Sequence, residues 1–73
     1  MITYDEALAK ARELKKNIDY CVEYNDAYMF GERREEYEIG GNPCIILKES
    51  GKAIDIVAYF DDYDADEIRE FEV

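Results

Sequence analysis

The spacing of hydrophobic and polar positions changes along the chain, and each change marks an element. Tyr4, Ala7, Leu8, Ala11 and Leu14 recur at i, i+3, i+4, i+7 intervals, which predicts an amphipathic helix from Tyr4 to Lys16. Its polar face carries Lys10, Arg12, Glu13, Lys15 and Lys16. Thr3-Tyr4-Asp5-Glu6 has the form of a capping box, in which the Thr3 hydroxyl and the Glu6 carboxylate each accept a backbone N–H of the other residue. Ile2 precedes the cap and is placed to pack back onto the first turns. From Ile18 the period becomes two: Ile18, Tyr20, Val22 and Tyr24 are expected on one face of a half-buried strand, and Asp19, Cys21 and Glu23 on the other. Asn25-Asp26 reads as a tight turn and Ala27-Tyr28-Met29-Phe30 as the return strand.

Glu32 to Glu38 is charged and is expected to be a surface loop that straightens near Tyr37. Gly40-Gly41-Asn42-Pro43 combines tolerance of unusual φ with one fixed φ, and so predicts a defined turn. Beyond it, Cys44-Ile45-Ile46-Leu47 and Ala53 to Phe60 flank the polar Lys48-Glu49-Ser50-Gly51-Lys52, the pattern of a second hairpin. In the first strand Ile45 and Leu47 oppose Cys44, Ile46 and Lys48. In its partner Ile54, Ile56, Ala58 and Phe60 alternate with a wetter face of Asp55, Val57 and Tyr59. Asp64 and Glu67 repeat the capping-box spacing, predicting a short helix from Ala65 to about Glu72 with Ile68 and Phe71 on the sheet or on a neighbouring subunit. The expected fold is a single α+β domain over residues 1–73. An N-terminal helix packs on a four-stranded antiparallel sheet of two hairpins, a short helix follows at the C-terminus, and Leu8, Leu14, Ile45, Leu47, Ile54 and Ile56 share one core.

Composition narrows the class. A net charge of −10 would suit a disordered acidic tail, but a chain that is 48% hydrophobic with 7 tyrosines and 3 phenylalanines is expected to fold. At 73 residues the core is modest, so thermal stability is expected to lean on self-association. No apolar run reaches bilayer length and the N-terminus lacks the regions of a signal peptide, which makes a cytoplasmic protein the expectation. Cys21 and Cys44 sit in strand-like runs without CxxC spacing, and the chain has no histidine. They read as reduced, partly buried small apolar residues, with a disulfide open only if their strands are neighbours.

Charge is distributed unevenly. Residues 53–73 hold eight acids (Asp55, Asp61, Asp62, Asp64, Asp66, Glu67, Glu70 and Glu72) against Arg69 alone, a local charge of −7, whereas the first sixteen residues carry +1. Such a balance excludes the usual electrostatic route to nucleic acid or an anionic membrane and points to a basic protein partner. The plainer interpretation is a solvated face that keeps a small domain soluble. Asp62, Asp64 and Asp66 have the spacing that opens an EF-hand loop, but Glu67 stands where the glycine is needed and Val73 where the bidentate glutamate is needed. No metal is therefore expected. Ser50 has no histidine to activate it, the Gly40-Gly41 turn precedes a strand rather than a helix, and paired carboxylates are inevitable among 19 acids. Neither an enzymatic activity nor a cofactor is expected. Tyrosines left exposed are candidates for anchoring an interface, and Tyr28, Tyr59 and Tyr63 are the expected ones. The partner-binding set read from the sequence is Asp55, Asp61, Asp62, Asp64, Asp66, Glu67, Tyr59 and Tyr63.

The Ile2-Thr3-Tyr4-Asp5-Glu6-Ala7 opening, the aromatic strand Ala27 to Phe30, the Gly41-Asn42-Pro43 turn into Ile45-Ile46-Leu47-Lys48, and the Ser50-Gly51-Lys52 turn occur in an order that resembles the YrhB-like immunity-protein family of bacterial polymorphic toxin systems. The resemblance covers nearly the whole chain. It departs in having no tryptophan near Tyr28 and a short loop after Gly31. What it implies is a compact domain, helix against antiparallel sheet, that neutralises a cognate toxin by binding it, with no catalytic residue to carry over. The expectation is a non-enzymatic immunity-type inhibitor. A phage or mobile-element DNA mimic that blocks a host nuclease, or a structural homodimer, are the alternatives.

Overall fold

The computed structural model describes residues 1–32 and 43–73. The expected loop beyond Glu32, to Glu38, and the Gly40–Asn42 part of the expected turn lie outside the described residues. Helix α1 spans Tyr4–Leu14 and opens as the spacing predicts. Thr3 Oγ1 accepts from the Glu6 N–H at 3.1 Å, and the Thr3 N–H donates to Glu6 Oε1 at 3.0 Å. These bonds hold the Glu6 carboxyl below its usual range. The helix stops two residues before Lys16, and Leu14, its last residue, is 61% exposed.

Five strands follow: β1 (Tyr20–Tyr24), β2 (Ala27–Gly31), β3 (Cys44–Leu47), β4 (Ala53–Ile54) and β5 (Glu67–Glu72). A second helix, α2 (Ile56–Asp62), stands between β4 and β5. The sheet order is β4-β3-β2-β1-β5 and each pairing is antiparallel. The fold is thus α+β as expected, but with five strands rather than four. Ala53 to Phe60 is not one strand: pairing ends at Ile54, and Asp55 caps α2 by accepting the Val57 N–H at 3.1 Å. Nor does Ala65 to Glu72 form a helix, because these residues supply β5, which pairs with β1 from Tyr20 opposite Glu72 to Tyr24 opposite Glu67. The physical reason is geometric. β4 and β5 lie on opposite edges of a sheet roughly 19 Å wide, so the chain must cross a face of it, and a helix of about two turns followed by a short connection does so.

The crossing buries the sheet on both sides. Against α1, Ala7 and Ala11 admit the helix closely to Cys21, Tyr28, Phe30 and Ile46, with Tyr4, Leu8, Ile18 and Phe71 at the margin. Against α2, Tyr59 seats among Tyr20, Val22, Tyr24, Ala27 and Ile45, flanked by Leu47, Ile54 and Ile56. Tyr20, Val22 and Tyr24 do alternate with Cys21 as the sequence pattern has it, but the strand is buried on both faces and Ile18 joins the α1 side. The six residues expected to share one core are therefore divided: Leu8 packs into the core between α1 and the sheet, Leu14 is exposed, and Ile45, Leu47, Ile54 and Ile56 belong to the α2 side.

Cys21 and Cys44 are free. Each stands opposite Phe30, from β1 and β3 in turn, so two strand spacings, about 10 Å, separate them and the disulfide alternative is excluded. Burial pushes the Cys21 thiol up to about 12 and raises that of Cys44.

Candidate partner-binding surface

The Asn25–Asp26 turn, legible in the sequence as a tight hairpin, is the point to which the second half of the chain is fastened. The Lys48 N–H donates to the Asp26 carbonyl at 2.9 Å, the Asn25 N–H to the Asp66 carbonyl at 3.0 Å, and the Asp66 N–H to Asn25 Oδ1 at 3.2 Å. The Tyr59 hydroxyl donates to the Asp26 carboxylate. Burial and that carboxylate raise the Tyr59 phenol above its usual value. Both ends of the acidic segment are consequently set in place by one rigid turn, Tyr59 from within α2 and Asp66 at the entry to β5.

Asp55, Asp61, Asp62, Asp64, Asp66 and Glu67 are all exposed. Asp55 is the N-cap of α2, Asp61 and Asp62 are its last two residues, Asp64 and Asp66 lie in the extended connection, and Glu67 begins β5. Tyr63 is the C-cap, 38% exposed and stacked on Tyr59 with centroids 5.2 Å apart. Two expectations fail here. Tyr59 and Tyr28 are buried, Tyr59 completely, because helical rather than strand geometry turns position 59 inward with Ile56, while Tyr28 packs edge-on against Tyr4 at 5.6 Å. Tyr59 thus supports the surface from beneath and does not reach a partner.

The sequence reading found Tyr63 but missed the rest of the apolar part of the surface. Val57 is 63% exposed and Phe60 48%, three residues apart on the outer side of α2, with Tyr63 one turn further on. Phe60 is held by edge contacts to Tyr24 at 5.9 Å and Tyr59 at 5.5 Å. The unbroken run Ile56-Val57-Ala58-Tyr59-Phe60 was the available signal, since a seven-residue helix covering one sheet face can bury only half of it. Asp61 and Asp62 also stand where the helix dipole is negative, with no base in the last turn, an arrangement that costs stability locally.

A second charged cluster among the described residues is structural. Glu23 accepts from Lys48 Nζ at 2.7 Å and from Arg69 Nε at 2.9 Å, which lowers its carboxyl from the usual range. Lys48 also lies over the Tyr28 ring and Arg69 over Phe71. A cleft of about 510 Å³ opens beside Tyr63, the Asn25–Asp26 turn and Ser50, but Asp26, Asn25 and Lys48 direct their polar groups to Tyr59, Asp66 and Glu23. Among the described residues no buried side-chain polar atom is unpartnered, no group of acids or cysteines could hold a metal ion, and no helix is long and apolar enough to cross a membrane. No family model, curated protein or solved structure matches the chain.

Proposed function

We propose that this protein is a non-enzymatic binding protein that neutralises a basic partner through the outer surface of α2 and the segment leading into β5. The observation that carries the reading is an apolar strip, Val57, Phe60 and Tyr63, rimmed by Asp55, Asp61, Asp62, Asp64 and Glu67. Apolar anchors inside a charged rim are the anatomy of a protein interface. The carboxylates steer a basic partner inward, and the rings supply the contact area that retains it. The motif order that resembles the immunity family makes the partner a toxin, and the charge makes it one whose active site is basic, as a nuclease's is.

The test is affinity capture from the source cell's lysate at low salt, release at high salt, and an activity assay of the purified captive. Inhibition of a basic toxin or nuclease by the chain, with association slowed on joint reversal of Asp61, Asp62 and Asp64, is the expected result. Association that is unchanged by the reversal at low salt overturns the reading.

A further inference from the structure

We infer that the outer edge of β5 receives an extended segment of the partner as a sixth strand, one with basic residues on one face and apolar residues on the other. The inference rests on the basic-partner reading and adds the mode of contact. β5 is the terminal strand of the sheet, and among the described residues no strand pairs with its outer side. The two edges are unlike. β4 is two residues long and runs directly into α2, so its shortness guards it. β5 is six residues long, contains no proline or lysine, and presents Ile68 at 58% exposure.

The register fixes what each face of that edge offers. Phe71 stands opposite Cys21 and Arg69 opposite Glu23, on the α1 side, where the Arg69 guanidinium is bound to Glu23 and lies 4.8 Å over the Phe71 ring. This side is apolar with its charge balanced. Glu67 and Glu72 stand opposite Tyr24 and Tyr20, on the α2 side, continuous with the acidic rim, while Glu70, opposite Val22, is already engaged. An added strand would therefore set its basic residues toward Glu67 and Glu72 and its apolar residues beside Phe71.

A second copy of the chain fits badly. Antiparallel self-pairing about a two-fold axis brings like-facing residues together. Centred on Arg69 it opposes Arg69 to Arg69, centred on Glu70 it opposes Glu70 to Glu70, and centred on Phe71 it opposes Glu70 to Glu72; centred on Ile68 it pairs Glu67 with Arg69, but it sets Asp66 against Glu70 and falls on the irregularity that the strand carries there. Directly opposed like charges are destabilising, so the edge rejects its own kind and accepts the opposite charge.

The test uses the full chain, isotopically labelled, with a capped peptide of alternating lysine and valine as long as β5, and the same peptide N-methylated at alternate amides. The Val73 N–H donates to the Asp19 carbonyl at 3.1 Å, so by strand alternation the Glu72 N–H points away from β1. Binding of the plain peptide is expected to slow exchange of the Glu72 amide, and N-methylation is expected to weaken binding about tenfold or more, the loss of one or two net hydrogen bonds. Glu72→Pro, which removes the outward donor, is expected to match that loss, and Glu72→Gln to fall well short of it. Equal binding of both peptides, with shifts confined to α2, overturns the added strand and leaves the acidic-surface reading standing. Binding of neither at low salt overturns both, and a dimer paired through β5 without peptide overturns the inference in favour of the second copy.

Discussion

The Tyr59 hydroxyl donates its hydrogen bond to the Asp26 carboxylate and so ties α2 to the β1–β2 turn across 33 residues of chain. Tyr59 is wholly buried and its partner carries charge, so the bond belongs to the stronger kind. Tyr59→Phe keeps the ring and removes the bond, and is expected to cost about 1–2 kcal/mol. For a domain of this size that lowers Tm by roughly 4–8 °C per kcal/mol, read by thermal unfolding at neutral pH.

The same pair predicts an alkaline dependence. The folded phenol titrates above its unfolded value of about 10. Between those two values the unfolded chain has lost the proton that the folded chain keeps, so stability is complete below about pH 10 and falls as pH rises toward the folded pKa. Tyr4, Tyr24 and Cys21 are shifted the same way and remain in Tyr59→Phe. The difference between wild type and variant therefore isolates one group: urea unfolding from pH 9 upward should show the wild-type advantage shrinking. An advantage that persists undiminished at high pH would separate the raised phenol from the hydrogen bond.

Gly31 is required by its neighbour across the sheet. It pairs with Tyr20, whose ring and hydroxyl lie 2.7–2.9 Å from where a Cβ would stand. Gly31→Ala is expected to cost about 1–3 kcal/mol by overpacking. The cost should fall in a Tyr20→Leu background, where the clashing ring is gone, and a double-mutant cycle by chemical denaturation measures the coupling. Independent, additive losses would mean that the Tyr20 ring is not what excludes a side chain here.

Glu23 predicts an acid dependence of opposite sign. Its carboxyl titrates below the unfolded value because Lys48 and Arg69 both donate to it. That contribution is present above about pH 4.5 and is lost as pH falls through the folded pKa. Glu23→Gln is expected to cost about 1–2 kcal/mol at neutral pH, more than a surface pair and less than a fully buried one. It should also flatten the decline in stability below pH 4.5, as acid titration followed by circular dichroism would read.

The first half of the fold was legible because local and tertiary preferences agree there. The capping box at Thr3 and Glu6, the apolar stripe of α1 as far as Ala11 and the Asn25–Asp26 turn each have a local cause, and each stands where the pattern puts it, whereas Leu14 at the end of the stripe is exposed. From Ala53 onward the two diverge. Ile54 to Phe60 is β-branched and aromatic and reads as strand, yet once Asp55 supplies a cap the run folds as helix, because the chain has to reach the far edge. Ile68 and Phe71, spaced as on a helix, end on a strand. A short apolar run cannot distinguish these outcomes by periodicity. One clue did exist: Tyr20-Cys21-Val22-Glu23-Tyr24 is apolar or aromatic at four of five positions, the mark of a strand buried on both faces and hence of a second layer beyond α1. The acidic half of the candidate surface was visible for the simple reason that charge needs no fold to be counted. Val57 and Phe60 were not, since only the helix turns them outward.

Asp61 and Asp62 bring stability and binding into opposition. Two carboxylates at the negative end of α2, with further acids following, repel the last carbonyls and one another. Asp62→Lys reverses one of them into a favourable position and is expected to stabilise the fold by about 0.5–1 kcal/mol at low ionic strength. Salt should narrow that gain by screening it. If the surface meets a basic partner, the same substitution lowers the association rate and leaves the dissociation rate nearly unchanged, because a rim charge acts mainly on the encounter. Phe60→Ala should do the reverse, raising dissociation with little effect on encounter, since an anchor acts after contact. Stopped-flow association and dissociation of both variants at two ionic strengths separates the roles. A carboxylate kept only for solubility would give the stability gain in Asp62→Lys without any change in association.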